Sequence, residues 1–300
     1  ATIGKAMMDY PDPRIPEGLR ETTAWSLEES ARLCASWHGA AGGRLRYAYA
    51  PRFAVSCTDD LLRETSRSAR EAGVHIHTHA SENRDEIAEV ERRTGLRNVL
   101  YLHDCGLTGN DVGLAHCVWL DDAEKDVLAQ TGTHVLHCPS SNLKLASGIA
   151  EIPELLERGI SVSLGADGAP CNNNLDAFLE MRLAALIHKP RRGERAMRAA
   201  RVLQLATIGG AAALGLQHSV GSLEVGKLAD IAVVDISGPH VAPTSDPHAA
   251  IVYGCRASDV RHVVVDGRVI VRDRTLLTLE QGPVLREARE RARRLFDGIS

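Results

Sequence analysis

Val74-His75-Ile76-His77-Thr78-His79-Ala80-Ser81-Glu82 is the stretch that decides the fold. Three histidines alternate with apolar and β-branched residues, so His75, His77 and His79 share one face of a strand, which then gives way to a polar loop containing Glu82. Working outward, five more runs of strand length can be read: Thr2 to Asp9, Leu45 to Pro51, Val112 to Cys117, His134 to Cys138 and Ser161 to Asp167. A longer segment with helical periodicity separates each run from the next, the sequence mark of βαβ units and a parallel sheet. Ser26-Leu27-Glu28-Glu29 has the form of a capping box opening one of these crossover helices.

Beyond Asp167 the pattern changes. Helical periodicity runs over Leu179 to Ile187 and Ala196 to Leu214, and strands of a different kind follow, Ile231 to Asp235 and Val263 to Val271. The latter is bent at Asp266-Gly267, a strong hairpin-turn signal, and the two fit a small β domain beside a barrel. The 300 residues, 44% hydrophobic and 25% charged, suffice for a TIM-type barrel of roughly 250 residues with a small appendage. A net charge of -4 offers no concentrated basic face for nucleic acid or an anionic membrane. The local exception, Arg286 to Arg294, has Glu287 and Glu290 interleaved at helical spacing and reads as a solvated helix face. Seven scattered cysteines without a CxxC pair suggest reduced thiols. Together with the lack of a signal-peptide pattern or a long apolar stretch, they predict a soluble, cytoplasmic protein.

Active sites of TIM-type barrels are built at the C-terminal ends of the strands, and several runs here end on a residue with chemistry. His79 ends one and is followed by Glu82, His116 ends the next, and Asp167 ends the last in Gly165-Ala166-Asp167-Gly168. Neutral imidazole and carboxylate bind Zn2+, whose charge lowers the pKa of a bound water to about 7, so the set suits metal-assisted hydrolysis. Taken singly, a strand-end histidine is more often a hydrogen-bonded structural residue; the combination carries the signal. His75 and His77 sit lower on the same face, where interior packing or support of a ligand is the expected role.

Four segments taken jointly resemble the amidohydrolase superfamily: His77 to Glu86, Leu114-Ala115-His116-Cys117, His137-Cys138-Pro139-Ser140-Ser141-Asn142-Leu143-Lys144-Leu145, and Leu164 to Gly168. The similarity is to the branch of aminopurine deaminases, and it runs from about Ile3 to Val271. It implies a metal-dependent barrel with a small β-sandwich domain, hydrolytic deamination of an amino-bearing purine or nucleoside, and one divalent metal, zinc or alternatively iron. It further implies that His79 and Asp167 are metal ligands, that Asp167 also acts as a base, that Glu82 carries protons, and that His116 orients the attacking water and polarises the substrate.

Substrate hints point two ways. Pro51-Arg52-Phe53 is similar to the guanine deaminase segment in which arginine and phenylalanine hold the purine, so Arg52 and Phe53, with Glu82 and His116, are candidate substrate contacts. Asp167-Gly168-Ala169-Pro170-Cys171-Asn172-Asn173-Asn174 and Phe178 to Arg182 instead resemble the 5'-deoxyadenosine and S-adenosylhomocysteine deaminases, the favoured reading. Guanine deamination, hydrolysis of an s-triazine, and an inactive barrel serving only as a binding or structural protein are the alternatives. The alternative for Arg52 is a structural ion pair, and for Asn172 to Asn174 the capping or turning of a loop.

The family's first strand carries a His-x-His pair of metal ligands, and nothing before Thr2 supplies it. Counting back from Asp167 as the eighth strand makes Thr2 to Asp9 the third, which predicts a barrel of strands three to eight over residues 1–225. The C-terminal half of the β domain then covers 226–275 and a C-terminal helix 276–300. Exposed sheet edges in such a body would favour self-association into a homo-oligomer.

Overall fold

The computed structural model describes residues 1–13 and 15–298. Its principal sheet is parallel throughout. Strands β1 (Thr2–Ile3) and β2 (Ala6–Met7) both pair with β3 (Arg46–Pro51), and β4 (His75–Ala80), β5 (Val112–His116), β6 (His134–His137) and β7 (Val162–Leu164) follow in sequential order. Residues from the first and last strands, including Thr2, Ala48, Gly113, Leu136 and Leu164, line one cavity of about 400 Å³, so the sheet is curled about a common axis. This is the strand order and curvature of a TIM-type barrel, with β1 at one edge and β7 at the other.

The crossover helices form where the sequence caps them. In α2 (Asp59–Glu71) Thr58 accepts from the Leu61 amide, and Leu61, Leu62, Thr65, Ser66 and Ala69 make a buried stripe of helical period. Asn83 caps α3 (Arg84–Thr94), which ends on Gly95 at φ 75°; Asp121 and Glu124 form a capping box on α5 (Asp122–Thr131), which ends on Gly132 at φ 70°. Between them, α4 (Asn98–Asp104) adds a second helix to the β4–β5 crossover.

Three sequence expectations need correction. The box proposed at Ser26 does not start a helix: α1 (Thr23–Trp37) begins three residues earlier, Thr22 caps it, and Ser26 is fully buried inside it. Thr2 to Asp9 is interrupted at Gly4, where any Cβ would lie 2.2 Å from the Ala48 carbonyl oxygen. The last run is shorter than read, since β7 stops at Leu164 and leaves Asp167 in the following loop with φ 60°. The hairpin read at Asp266-Gly267 is present, both residues having positive φ and joining Val260–Val265 to Arg268–Arg272. With β8 (Ile231–Val234), β9 (Val260–Val265), β10 (Arg268–Arg272) and β11 (Thr275–Leu276) form a four-stranded antiparallel sheet. The C-terminal helix Gln281–Asp297 is exposed along its length and pairs Glu287 with Arg291 and Glu290 with Arg294; Ile299 and Ser300 lie outside the described residues. All seven cysteines are free, and among the described residues no helix is long and apolar enough to cross a membrane.

Leu136 faces the cavity, so His137 points to the other side of the sheet, where its ring lies 5.8 Å from that of His188. Both are almost wholly buried and their four ring nitrogens have no hydrogen-bond partner. Burial, reinforced by the neighbouring His188 and His116, pushes His137 down to about 3; burial, with Arg191 nearby, pushes His188 to about 4. Both are therefore neutral in the fold but protonate near pH 6.5 once unfolded, so the unfolded state binds more protons as pH falls through that value. Stability is expected to be at its full value above about pH 6.5. It should drop by about 1 kcal/mol per histidine between pH 6 and pH 5. Urea melts across that range check this, and His188→Leu should remove one histidine's share of the slope, the rest coming from His137, His79 and the other buried histidines.

Candidate active site

The ends of β4, β5 and β7 bring the predicted residues together. His79, the penultimate residue of β4, is fixed by one carbonyl: its Nδ1 lies 2.7 Å from Arg52 O, which also accepts from the His79 amide at 3.3 Å. A carbonyl oxygen can only accept, so Nδ1 carries the proton and Nε2 keeps its lone pair for another partner. Burial, with His116 nearby, pushes the His79 pKa down to about 4 and keeps the ring neutral. Phe53 stacks on it at 4.3 Å between centroids and His116 at 5.3 Å.

Strand alternation alone would turn His116 away from His79, because His79 pairs with Ala115 and it is Ala80 that pairs with His116. The backbone resolves this. His116 has φ 73° and Cys117 φ 48°, a left-handed turn that swings the imidazole to the inner side. Ser81, at φ 52°, and Asp167, at φ 60°, have the same feature, so left-handed backbone recurs at each of the strand ends where the chemistry is expected. His116 Nδ1 is 2.8 Å from Asn142 Oδ1; the amide oxygen accepts, which leaves Nε2 facing the site, 3.8 Å from Glu82 Oε2.

Asp167 accepts from the Gly168 amide at 2.6 Å and from the Ser141 hydroxyl. Burial works against its ionisation, yet the Ser141 and Gly168 hydrogen bonds, aided by His116 and His79, together hold the carboxyl below its ordinary range. Arg52 makes no ion pair among the described residues; its guanidinium sits 5.4 Å over the Phe53 ring and 3.6 Å from Met8 Sδ, at the rim. His77 lies on the inner face, as the alternation implies, and lines the cavity rather than being packed over. Asn172 is a loop-turning residue, its Oδ1 accepting from the Asn174 and Leu175 amides.

Sequence reasoning quoted Ser141 and Asn142 without giving either a task. Both sit on α6 (Pro139–Lys144), the short helix just past β6, which aims Ser141 at Asp167 and Asn142 at His116. The Ser-Ser-Asn run after a strand was the available signal. Among the described residues no group of three or more His, Cys, Asp and Glu side chains is placed to hold a metal ion. His79 and Asp167 nevertheless have donor character, a neutral imidazole with a fixed tautomer and an ionised carboxylate, and they fit as two members of a larger ligand set.

The model of the amidohydrolase family matches residues 1–270. The chain belongs to that family. It is 42% identical over 275 residues to the 5'-deoxyadenosine deaminase of Methanosarcina mazei, covering 91% of this chain and 63% of that protein. It is 41% identical over 301 residues to the 5-methylthioadenosine/S-adenosylhomocysteine deaminase of Syntrophobacter fumaroxidans, covering 98% of this chain and 66% of that one. Among solved structures, a zinc-bound adenosine deaminase from Xanthomonas campestris superposes with a TM-score of 0.91 at 28% identity, over 97% of this chain and 65% of that chain. The chain thus spans about two thirds of the length of the family members it matches.

Proposed function

We propose that this chain carries most of the catalytic face of a cytoplasmic hydrolytic deaminase whose substrate is a purine nucleoside of the 5'-deoxyadenosine or S-adenosylhomocysteine kind. The observation that supports this most is the meeting of His79, Glu82, His116 and Asp167 at the ends of parallel strands in a family member about 42% identical to a 5'-deoxyadenosine deaminase. In this reading residues 1–225 are the hydrolase barrel, and the antiparallel sheet of 226–275 is half of a small β-sandwich domain.

His79 and Asp167 would contribute two donors to one divalent ion, zinc or iron. Such an ion, when bound, makes water a nucleophile at neutral pH. The remaining work falls to this chain's side chains. Asp167 accepts a proton from the attacking water, and His116 Nε2 orients that water against the ring carbon bearing the amino group. Glu82, protonated at the start, gives its proton to the ring nitrogen and is reprotonated by the one that Asp167 took from the water. It passes that proton to the departing amine, and the proton of the added hydroxyl restores Glu82 as ammonia leaves and the ring keeps its new carbonyl. Phe53 and Arg52 lie beside His79 at the rim, where they would border the base and the sugar side of a nucleoside.

An ammonia-release screen over 5'-deoxyadenosine, S-adenosylhomocysteine, adenosine, guanine and a chlorinated s-triazine tests the proposal. The expected outcome is ammonia from one of the first two at the highest kcat/KM. Chloride from the triazine with no ammonia from any purine, or no turnover of any compound, overturns it.

A further inference from the structure

We propose that Ser147 is a positioning residue that holds the proton-carrying carboxylate of Glu82 in its working orientation. The inference rests on the function proposed above and adds a residue to it. Ser147 Oγ donates to Glu82 Oε1 at 3.1 Å across 65 positions of sequence. Among the described residues it is the sole hydrogen-bond donor to that carboxylate, whose other oxygen faces His116 Nε2 at 3.8 Å. One oxygen of Glu82 is therefore pinned and the other points at the reacting centre.

The serine is itself held from several directions. It follows α6 by way of Leu145 and Ala146, the latter at φ 56°, and its amide donates to Asn142 O at 2.8 Å. Its carbonyl accepts from Trp119 Nε1 at 2.7 Å. Gly148 then takes φ 130° in a space where a Cβ would lie 2.8 Å from the Trp119 ring, so the loop is pressed against the indole and only glycine fits there. A buried serine just after a helix has carbonyls of its own last turn within easy reach as acceptors. This one bonds instead to a distant carboxylate, and the same Asn142 that receives its amide also fixes His116, so one loop sets both members of the Glu82–His116 pair.

A residue that acts only through Glu82 should matter only while Glu82 can carry a proton. Ser147→Ala is expected to lower kcat by about 10- to 100-fold, the scale of one hydrogen bond to a charged group, with KM changed less than threefold and metal content unaltered. In a Glu82→Gln background the same substitution should cost no further activity. An equal loss in both backgrounds, or no loss in the wild-type background, overturns the role. The contact is checked without turnover by 13C NMR of protein labelled at glutamate Cδ, with the Glu82 resonance assigned by its disappearance in E82Q. Ser147→Ala should move that resonance, and an unmoved signal also overturns the proposal. Wild-type protein that releases no ammonia while the resonance still moves would sink the deaminase reading, and the role with it, but leave the contact established.

Discussion

Glu82→Gln is expected to lower ammonia release by about 10²- to 10⁴-fold, the range that one positioned proton-transfer group contributes. The amide matches the carboxylate in shape, and its oxygen can still accept from Ser147, so the fold and the His79–His116 stack should persist. What is lost is the ability to take up and release a proton beside His116 Nε2. Steady-state rates with the preferred nucleoside, read alongside metal content and the thermal midpoint, test this. Turnover within twofold of wild type would remove Glu82 from the mechanism.

The second large effect should come from Asp167→Asn, with a different signature. Asn can keep its oxygen toward the Gly168 amide and turn its NH2 toward the Ser141 hydroxyl oxygen, so the loop survives. The negative charge does not, and on the proposed function a metal donor and the acceptor for the water proton go with it. Zinc affinity should fall by at least about 10- to 100-fold, since removing even an outer partner of a ligand costs that much, and turnover should fall by at least as much as in Glu82→Gln. A competition titration against a zinc chelator separates the two variants: Glu82→Gln binds as wild type does and Asp167→Asn does not. Unchanged affinity in Asp167→Asn would mean that Asp167 is no ligand.

How much of this could be read from the sequence varies with the range of the interaction involved. Strand runs and crossover helices were legible because alternation and helical spacing are local signals that the tertiary structure preserves. His79 and Glu82 came with them, one on a well-marked strand and the other just beyond it. His116 was found by its place at a strand end, yet its face was not: alternation assigns it outward, and only the left-handed backbone at a non-glycine residue, which no propensity encodes, brings it in. Ser26 was misread as a cap because Ser-x-x-Glu occurs inside helices as well as at their starts, and Thr22, four residues earlier, wins the end. Asn142 and Ser147 were out of reach for another reason. Their partners lie 26 and 65 positions away, and a hydrogen bond between distant residues leaves no periodic trace.

The carbonyl of Arg52 accepts from the ring and the amide of His79, while its guanidinium lies outward at the rim. Every amino acid has that oxygen, so replacing the side chain at position 52 leaves the orienting atom in place. On the proposed function one residue then meets two demands: its main chain orients His79, and its side chain can be exchanged to suit a different base or sugar substituent. A substitution at position 52 therefore retunes the rim while the imidazole of His79 keeps its alignment.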